Sequence, residues 1–457
     1  MFTPSPEIIL LMQAFAPAMT KANFKHSLVL IYGAILTPGK RTVTSALKAT
    51  GVTDPNFDKY HRVLSRNKWS AKEVSFILLG LLIHYFIPKG GNITLIADET
   101  LERRQGKRIK IKGWYKDPIR SKGAKVVTSQ GIRWLSIMLL VKTRWSSREW
   151  ALPFFTVPTL SDKVCKKVKK THRTSSWWVV YALEKISKRF PEHNITLIGD
   201  GGFAVVGLVS ECQRLKINLI SRFRLDGGLY DFPGEQRSNK RGPKPKKGAK
   251  QLKLEDRLHH VETVWSKAIV PWYAGTEKEL FYTTGVSLWY TPKHNPVPIH
   301  WVLVKYQEED ARTGLKKWKA SSYFCSDTSS STPVSEIIGG YASRWNIEVT
   351  FEELRAQLGF ETQRQWSTRS IERTTPCLFG LFSIVVLIAH VLHPEKLPVE
   401  SSQWYEKEEA TFSDALGAVR SHLWGNLNYM KSSKQDDMRL IPSKIWNQMV
   451  KQVCYTR

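Results

Sequence analysis

Two stretches decide how this chain folds: Asn92-Ile-Thr-Leu-Ile-Ala-Asp98 and Asn194-Ile-Thr-Leu-Ile-Gly-Asp200. Each is a run of apolar and β-branched residues bounded by polar ones, the pattern of a short buried strand. Each then reaches an aspartate after one small residue. They are one local solution used twice rather than a duplicated domain: a strand that delivers a carboxylate at its C-terminal end. In open α/β sheets that end is where sites are built.

Working outward from these strands, helices and strands alternate. Arg133–Lys142, Trp150–Val157 and Asn218–Phe223 are expected as strands, with helices over Ser175–Phe190 and Ala204–Lys216. Aromatic-rich alternating runs at Val261–Trp265, Leu280–Trp289, Ile299–Tyr306 and Trp318–Phe324 suggest an antiparallel β insertion. Thr332 is expected to cap a long helix that begins at Pro333 and runs to about Gly359. The first ninety residues read as helices, including Glu7–Phe15, Thr42–Thr50 and Phe57–Arg66. Gly51 breaks the last two apart, a pattern compatible with a helix-turn-helix or with a plain bundle. The apolar runs Val74–Ile87 and Cys377–Leu392 are shorter than the ~20 residues of a membrane span and are expected as buried helices. The organisation expected is a helical DNA-binding region over 1–90, a core in two parts over 91–224 and 332–395, a β-rich insertion with a basic loop over 225–331, and a helical C-terminal region over 396–457.

Composition points to the partner. The 457 residues carry 69 Lys+Arg against 40 Asp+Glu, a formal charge of +29. That excess indicates a polyanion, nucleic acid before an acidic membrane surface. With 42% hydrophobic and 24% charged residues, global disorder and fibrous repeats are excluded. The five cysteines form no CxxC pair, which argues against a zinc finger and a disulfide scaffold and for a reducing compartment. No signal peptide is expected. Three basic runs, Arg103–Lys125, Lys163–Arg173 and Arg237–Lys253, are candidates for phosphate contact, among them Arg103, Arg104, Lys107, Lys110, Lys244, Lys246 and Lys247. Gln236–Leu254 holds eight Lys or Arg and no acid before Leu254, so a flexible basic loop is expected there.

Asp98, Asp200 and a glutamate-bearing helix are the pieces of a magnesium site. Mg2+ takes hard oxygen ligands and keeps waters, so few side chains suffice. Two such ions would clamp the attacking and leaving oxygens of a phosphodiester displacement. On an ideal helix Tyr341, Arg344, Glu348 and Arg355 share an arc of about 60°. Ile347, Phe351, Leu354 and Leu358 form a separate apolar stripe. By this geometry alone, a surface ion-pair ladder explains the charged face equally well.

Tyr341-Ala-Ser-Arg344-Trp-Asn-Ile-Glu348, with Arg355 seven residues on, resembles the Y-x2-R-x3-E-x6-K signature of bacterial insertion-sequence transposases of the DDE class, Arg355 standing where the family has Lys. Ile-Ala-Asp98-Glu-Thr100 and Ile-Gly-Asp200-Gly-Gly-Phe are similar to that family's two aspartate motifs. The resemblance covers roughly residues 90–395. It implies an α/β fold with a ribonuclease-H-like mixed sheet, interrupted by a β insertion before the glutamate helix. It implies that Asp98, Asp200 and Glu348 bind two Mg2+ ions, with Mn2+ able to substitute. Tyr341, Arg344 and Arg355 would then hold phosphates of the transposon end. Double-stranded DNA, a synaptic homodimer and a cytoplasmic, nucleoid-associated setting follow, with no membrane. Glu348 is preferred to Glu352 because its spacing matches the signature. Glu99 stands where the family often has a second Asp; it and Thr100 are expected to orient the ligands. The expected activity is cutting at the element's ends and joining the 3′ ends to a target. A nuclease without strand transfer and a catalytically silent DNA-binding protein are the alternatives.

The insertion's tryptophans, Trp265, Trp272, Trp289, Trp301 and Trp318, are candidates to stack on a flipped base, although alternating aromatics in a sheet usually pack the core. Trp345 is expected to pack. His172, His259 and His260 lack ligand spacing and are expected at the surface.

Overall fold

The computed structural model describes residues 4–117, 119–121, 125–234, 244–309, 313–329, 332–400, 406–425 and 442–455. In chain order the first elements are α1 (Pro6–Gln13), α2 (Lys21–Leu36), α3 (Val43–Ala49), α4 (Asp58–Ser65) and α5 (Ala71–Phe86). Then come β1 (Ile93–Arg103), β2 (Gly113–Lys116), β3 (Thr128–Val141), β4 (Trp150–Pro158), α6 (Asp162–Val168) and α7 (Ser175–Arg189). They are followed by β5 (Ile195–Gly199), α8 (Val206–Arg214), β6 (Asn218–Phe223), β7 (Leu229–Tyr230) and α9 (Leu254–Arg257). The strands β8 (Ser266–Pro271), β9 (Glu277–Trp289), β10 (Val297–Glu309) and β11 (Lys316–Cys325) complete the insertion. The last helices are α10 (Val334–Ser343), α11 (Trp345–Leu358), α12 (Thr368–Leu392), α13 (Phe412–Gly425) and α14 (Ser443–Tyr455). The α/β class expected from the sequence is what the structure shows, with helical regions at both ends.

The chain divides into two units. One comprises Lys89–Asp98 and Ser175–Glu348. Its strands run β1-β5-β6-β11-β10-β9-β7, with β8 also on β9. The pairs β1–β5 and β5–β6 are parallel. The remainder, from β6–β11 through β9, is antiparallel. The parallel strands are nearly continuous apolar runs because helices cover such strands on both faces. Helix α7 shows the matching pattern, burying Val179, Ala182, Leu183 and Ile186 at helical spacing.

The other unit comprises Met1–Pro88, Glu99–Thr174 and Val349–Arg457. Here β3 lies beside the last part of β1, with β2 and β4 pairing β3 antiparallel. Gly131 permits that approach, since a Cβ there would fall 2.3 Å from the carbonyl oxygen of Glu102. Val43, Leu47 and Tyr60 form a small core among α2, α3 and α4. Gly51, at φ +68°, makes the expected break after α3. Helix α12 extends well beyond the expected apolar run and, by length and composition alone, could cross a membrane. Its segment Leu378–Ala389 is mostly buried, and α12 packs on β4, α5 and α13, so it is the core helix of this unit.

Four local expectations change. Strand β1 does not stop at Asp98 but continues to Arg103, because the segment beyond Asp98 acquires β3 as a partner. Val261–Trp265 is not a strand; Val261 and Val264 are 96% and 81% exposed, and the strand starts at Ser266. Pro333, not Thr332, is the N-cap of α10. The long helix is two helices that break at Arg344. Residues 236–243 of the expected flexible loop lie outside the described residues.

Candidate active site

Strands β1 and β5 run in parallel register, with Ala97 opposite Gly199. The next residue on each chain is an aspartate, so Asp98 and Asp200 stand side by side on neighbouring backbones, about 4.8 Å apart by strand spacing. The small residue before each acid has a physical reason at Gly199, where a Cβ would meet that of Phe203 at 2.8 Å. Asp200 then turns out of the sheet as the cap of a short 3-10 turn, accepting from the backbone N–H of Gly202 at 2.9 Å. The Ser221 hydroxyl donates to the Asp200 carbonyl at 2.7 Å and ties this turn to β6.

Arg344 stands at the break between α10 and α11. Its Nη1 donates to Asp98 Oδ2 at 2.6 Å and reaches Glu348 Oε1 at 3.4 Å, one helical turn on. The Arg344 and Asp98 side chains are 15% and 13% exposed, whereas Glu348 is 44% exposed. Burial disfavours the Arg344 charge, but Asp98 first, then Tyr341 and Glu348, outweigh it and hold the guanidinium above its ordinary value. Tyr341 is buried 4.8 Å from the Tyr323 ring, and burial raises its hydroxyl's pKa against the opposing pull of Arg344 and Arg222. Asp200 acts on the same hydroxyl through its charge.

Asp98, Asp200 and Glu348 carry hard carboxylate oxygens, the donor type a divalent ion takes, and the first two follow adjacent parallel strands. Arg344 is the cation that now bridges Asp98 and Glu348. Among the described residues, no three His, Cys, Asp or Glu side chains are drawn together closely enough to hold a metal. A family model described as DDE superfamily endonuclease matches residues 14–278, more than half of the chain. The chain belongs to the DDE superfamily endonucleases. The match takes in Asp98 and Asp200 and ends before Tyr341, Arg344 and Glu348. No curated protein matches the chain. The mixed sheet with helical ends is consistent with the ribonuclease-H-like fold of this superfamily. Membership brings endonuclease chemistry on DNA, of the kind that uses divalent metals.

The other residues singled out in this DDE endonuclease fall into three environments. In the unit that holds Val349–Arg457, Arg355 donates to Glu361 at 2.8 Å and to the Thr100 hydroxyl at 2.7 Å. Glu361 also receives Arg103, which forms a fork on Asp117 at 2.8 and 2.9 Å. Sequence reasoning missed Glu361; only the fold brings it between two arginines. Glu99 accepts from Thr159 at 2.9 Å and lies 3.4 Å from Arg133, and Glu352 is exposed.

Arg104 is a correction. It is buried, pairs with Glu102 at 2.7 Å and donates to the Gln363 carbonyl, so no face of it is left for a phosphate. Lys107 and Lys110 are exposed, as are Lys244 and Lys246. Lys246 reaches Asn295 at 2.8 Å. Lys247 departs from the solvated-loop expectation. Its ammonium sits 3.7 and 3.8 Å from the ring centres of Tyr230 and Tyr290, a cation–π clamp that anchors the end of the basic loop.

The tryptophans also divide. Trp289 and Trp301 are buried, and Trp301 donates to the Ser287 hydroxyl at 2.9 Å. Trp265 is covered by Lys305 at 3.9 Å, Trp272 packs against Tyr306, and Trp318 is 57% exposed. Trp345, expected to pack, is half exposed beside Tyr273. His172, His259 and His260 lie at the surface as expected. The five cysteines are all free.

Proposed function

We propose that this DDE endonuclease is a transposase that cuts DNA at the ends of its own mobile element and joins the 3′ ends to a target. The observation that supports the reading is the parallel register of Ala97 with Gly199, after which Asp98 and Asp200 follow on adjacent strands, together with Glu348 one turn beyond an arginine bound to Asp98. Asp98, Asp200 and Glu348 would hold two Mg2+ ions, with Mn2+ as a substitute. When bound, such ions activate an attacking oxygen and stabilise the leaving one.

The chain's own residues supply the rest. Tyr341 offers a hydroxyl and Arg344 a planar guanidinium suited to two hydrogen bonds on one phosphate. Arg355 and Arg103, organised by Glu361, are proposed to contact the backbone, together with Lys107, Lys110, Lys244 and Lys246. The helices of residues 1–90, with α3 and α4 flanking Gly51, are proposed to bind DNA. Two ends must be cut together, so a homodimer around paired ends is proposed, acting on nucleoid DNA in the cytoplasm.

The test is a supercoiled plasmid carrying the DNA that flanks this gene, incubated with purified protein and Mg2+ or Mn2+. Excision by the wild type that stops on chelation and is absent in Asp98→Asn, Asp200→Asn and Glu348→Gln supports the assignment. Cleavage that persists in all three variants overturns the site. Cleavage without joined products in a supplied target would make the protein a nuclease that does not transfer strands. Binding without cleavage would leave a silent DNA-binding protein.

A further inference from the structure

We propose that Arg344 keeps Asp98 closed to a divalent ion until a DNA phosphate draws the guanidinium away. The inference rests on the reading of Asp98 as a metal ligand and adds to it a coupling between ion and DNA.

The geometry is competitive. One guanidinium nitrogen takes Asp98 Oδ2 at 2.6 Å and faces Glu348 Oε1 at 3.4 Å. A divalent ion bound through that oxygen would meet a fixed positive charge within a few ångströms, in a site screened poorly by water because both side chains are mostly buried. Ion and guanidinium therefore exclude one another at Asp98. Arg344 is not a solvent-swinging surface charge of the kind that contributes little.

A phosphodiester offers a way out. It carries full negative charge and matches the planar guanidinium fork. Once Arg344 turns to a phosphate, Asp98 Oδ2 gives up this cation and an ion can take its place. Such coupling is reciprocal: DNA tightens the ion, and the ion tightens DNA by the same factor. The protein without DNA then holds Asp98 and Glu348 against Arg344, with Asp98 unloaded.

The test measures Mn2+ binding by electron paramagnetic resonance on purified full-length protein, with and without a short blunt duplex, the duplex alone serving as blank. In the wild type, DNA is expected to tighten Mn2+ binding roughly 5–150-fold, the usual span of coupling between two sites. Arg344→Gln, which removes the cation, should bind Mn2+ tightly without DNA and gain less than about twofold from adding it. Arg344→Lys keeps a cation and should bind Mn2+ as weakly as the wild type without DNA, with a smaller gain from DNA because it lacks the fork. If Arg344→Gln binds Mn2+ no more tightly than the wild type in the absence of DNA, the gate is overturned. Asp98→Asn separates the two readings. If, with the duplex present, it binds Mn2+ as the wild type does, the metal assignment itself has failed. If it loses binding while Arg344→Gln gains none, only the gate has failed.

Discussion

Ala97 and Gly199 are register partners on parallel strands, and that single pairing sets the acids that follow them, Asp98 and Asp200, on adjacent backbones. The two acids are 102 positions apart in the sequence. Parallel pairing across so long a connection is what the intervening strands and α7 make possible.

Removing Glu102 should be severe. It is fully buried, pairs with Arg104 at 2.7 Å and accepts from the Trp134 indole at 2.8 Å. Glu102→Ala leaves Arg104 as a buried unpaired cation, expected to cost about 3–5 kcal/mol. Replacing both residues by methionine should recover most of that loss. Chemical unfolding of the two proteins would show it; equal losses in both would mean that packing, not charge, holds this site.

Asp117 makes a pH-dependent contribution. The fork from Arg103 holds its carboxyl well below the usual carboxylate range, with Ser129 helping and burial opposing. A depressed folded pKa means stability that is full above the unfolded value of about 3.9 and lost as pH falls toward the folded one. The melting difference between wild type and Asp117→Asn should therefore stay constant from neutral pH to about 5 and shrink below about 4. A difference that grows in acid would contradict the pairing.

The tryptophans of the insertion should separate by burial. Trp301→Ala removes a ring that is 3% exposed and whose indole is hydrogen-bonded, and should cost about 3–5 kcal/mol of stability. Trp318→Ala, at 57% exposure, should stay within about 0.5 kcal/mol. Thermal melts of the two variants measure the contrast.

Salt dependence should rank the basic residues. Lys107→Ala and Lys110→Ala are each expected to weaken duplex binding and to lower the slope of log affinity against log salt by roughly one. Arg104→Ala should leave the slope unchanged and lower stability instead, because that charge faces inward. Fluorescence anisotropy across a salt series would distinguish them.

Much of the architecture was legible because it is written locally. An apolar run that ends in a small residue and an acid describes a strand and its carboxylate wherever it occurs, and β6, β9, β10 and β11 followed the same alternation. Helical spacing put Arg344 and Glu348 one turn apart, but it did not foresee the break at Arg344 that places Tyr341 on a separate, buried helix. The failures share a cause: each depended on a partner remote in sequence. Val261–Trp265 has strand-like composition, but among the described residues no strand pairs with it, and Val261 and Val264 stay exposed. Strand β1 outran its acid because β3 was there to receive it. Lys247 reads as one more cation in a basic loop until Tyr230 and Tyr290 close on it.

By itself, then, the sequence determined most element types, the basic character and which carboxylates are candidates, since these rest on composition and on spacings of a few residues. Only the tertiary structure decided which charges are committed and to whom: Arg344 to Asp98, Arg355 and Arg103 to Glu361, and Arg104 to Glu102. A charge's partner is set by distance in space and by burial. For the Arg344–Asp98 pair those are fixed only when segments 246 residues apart are folded together.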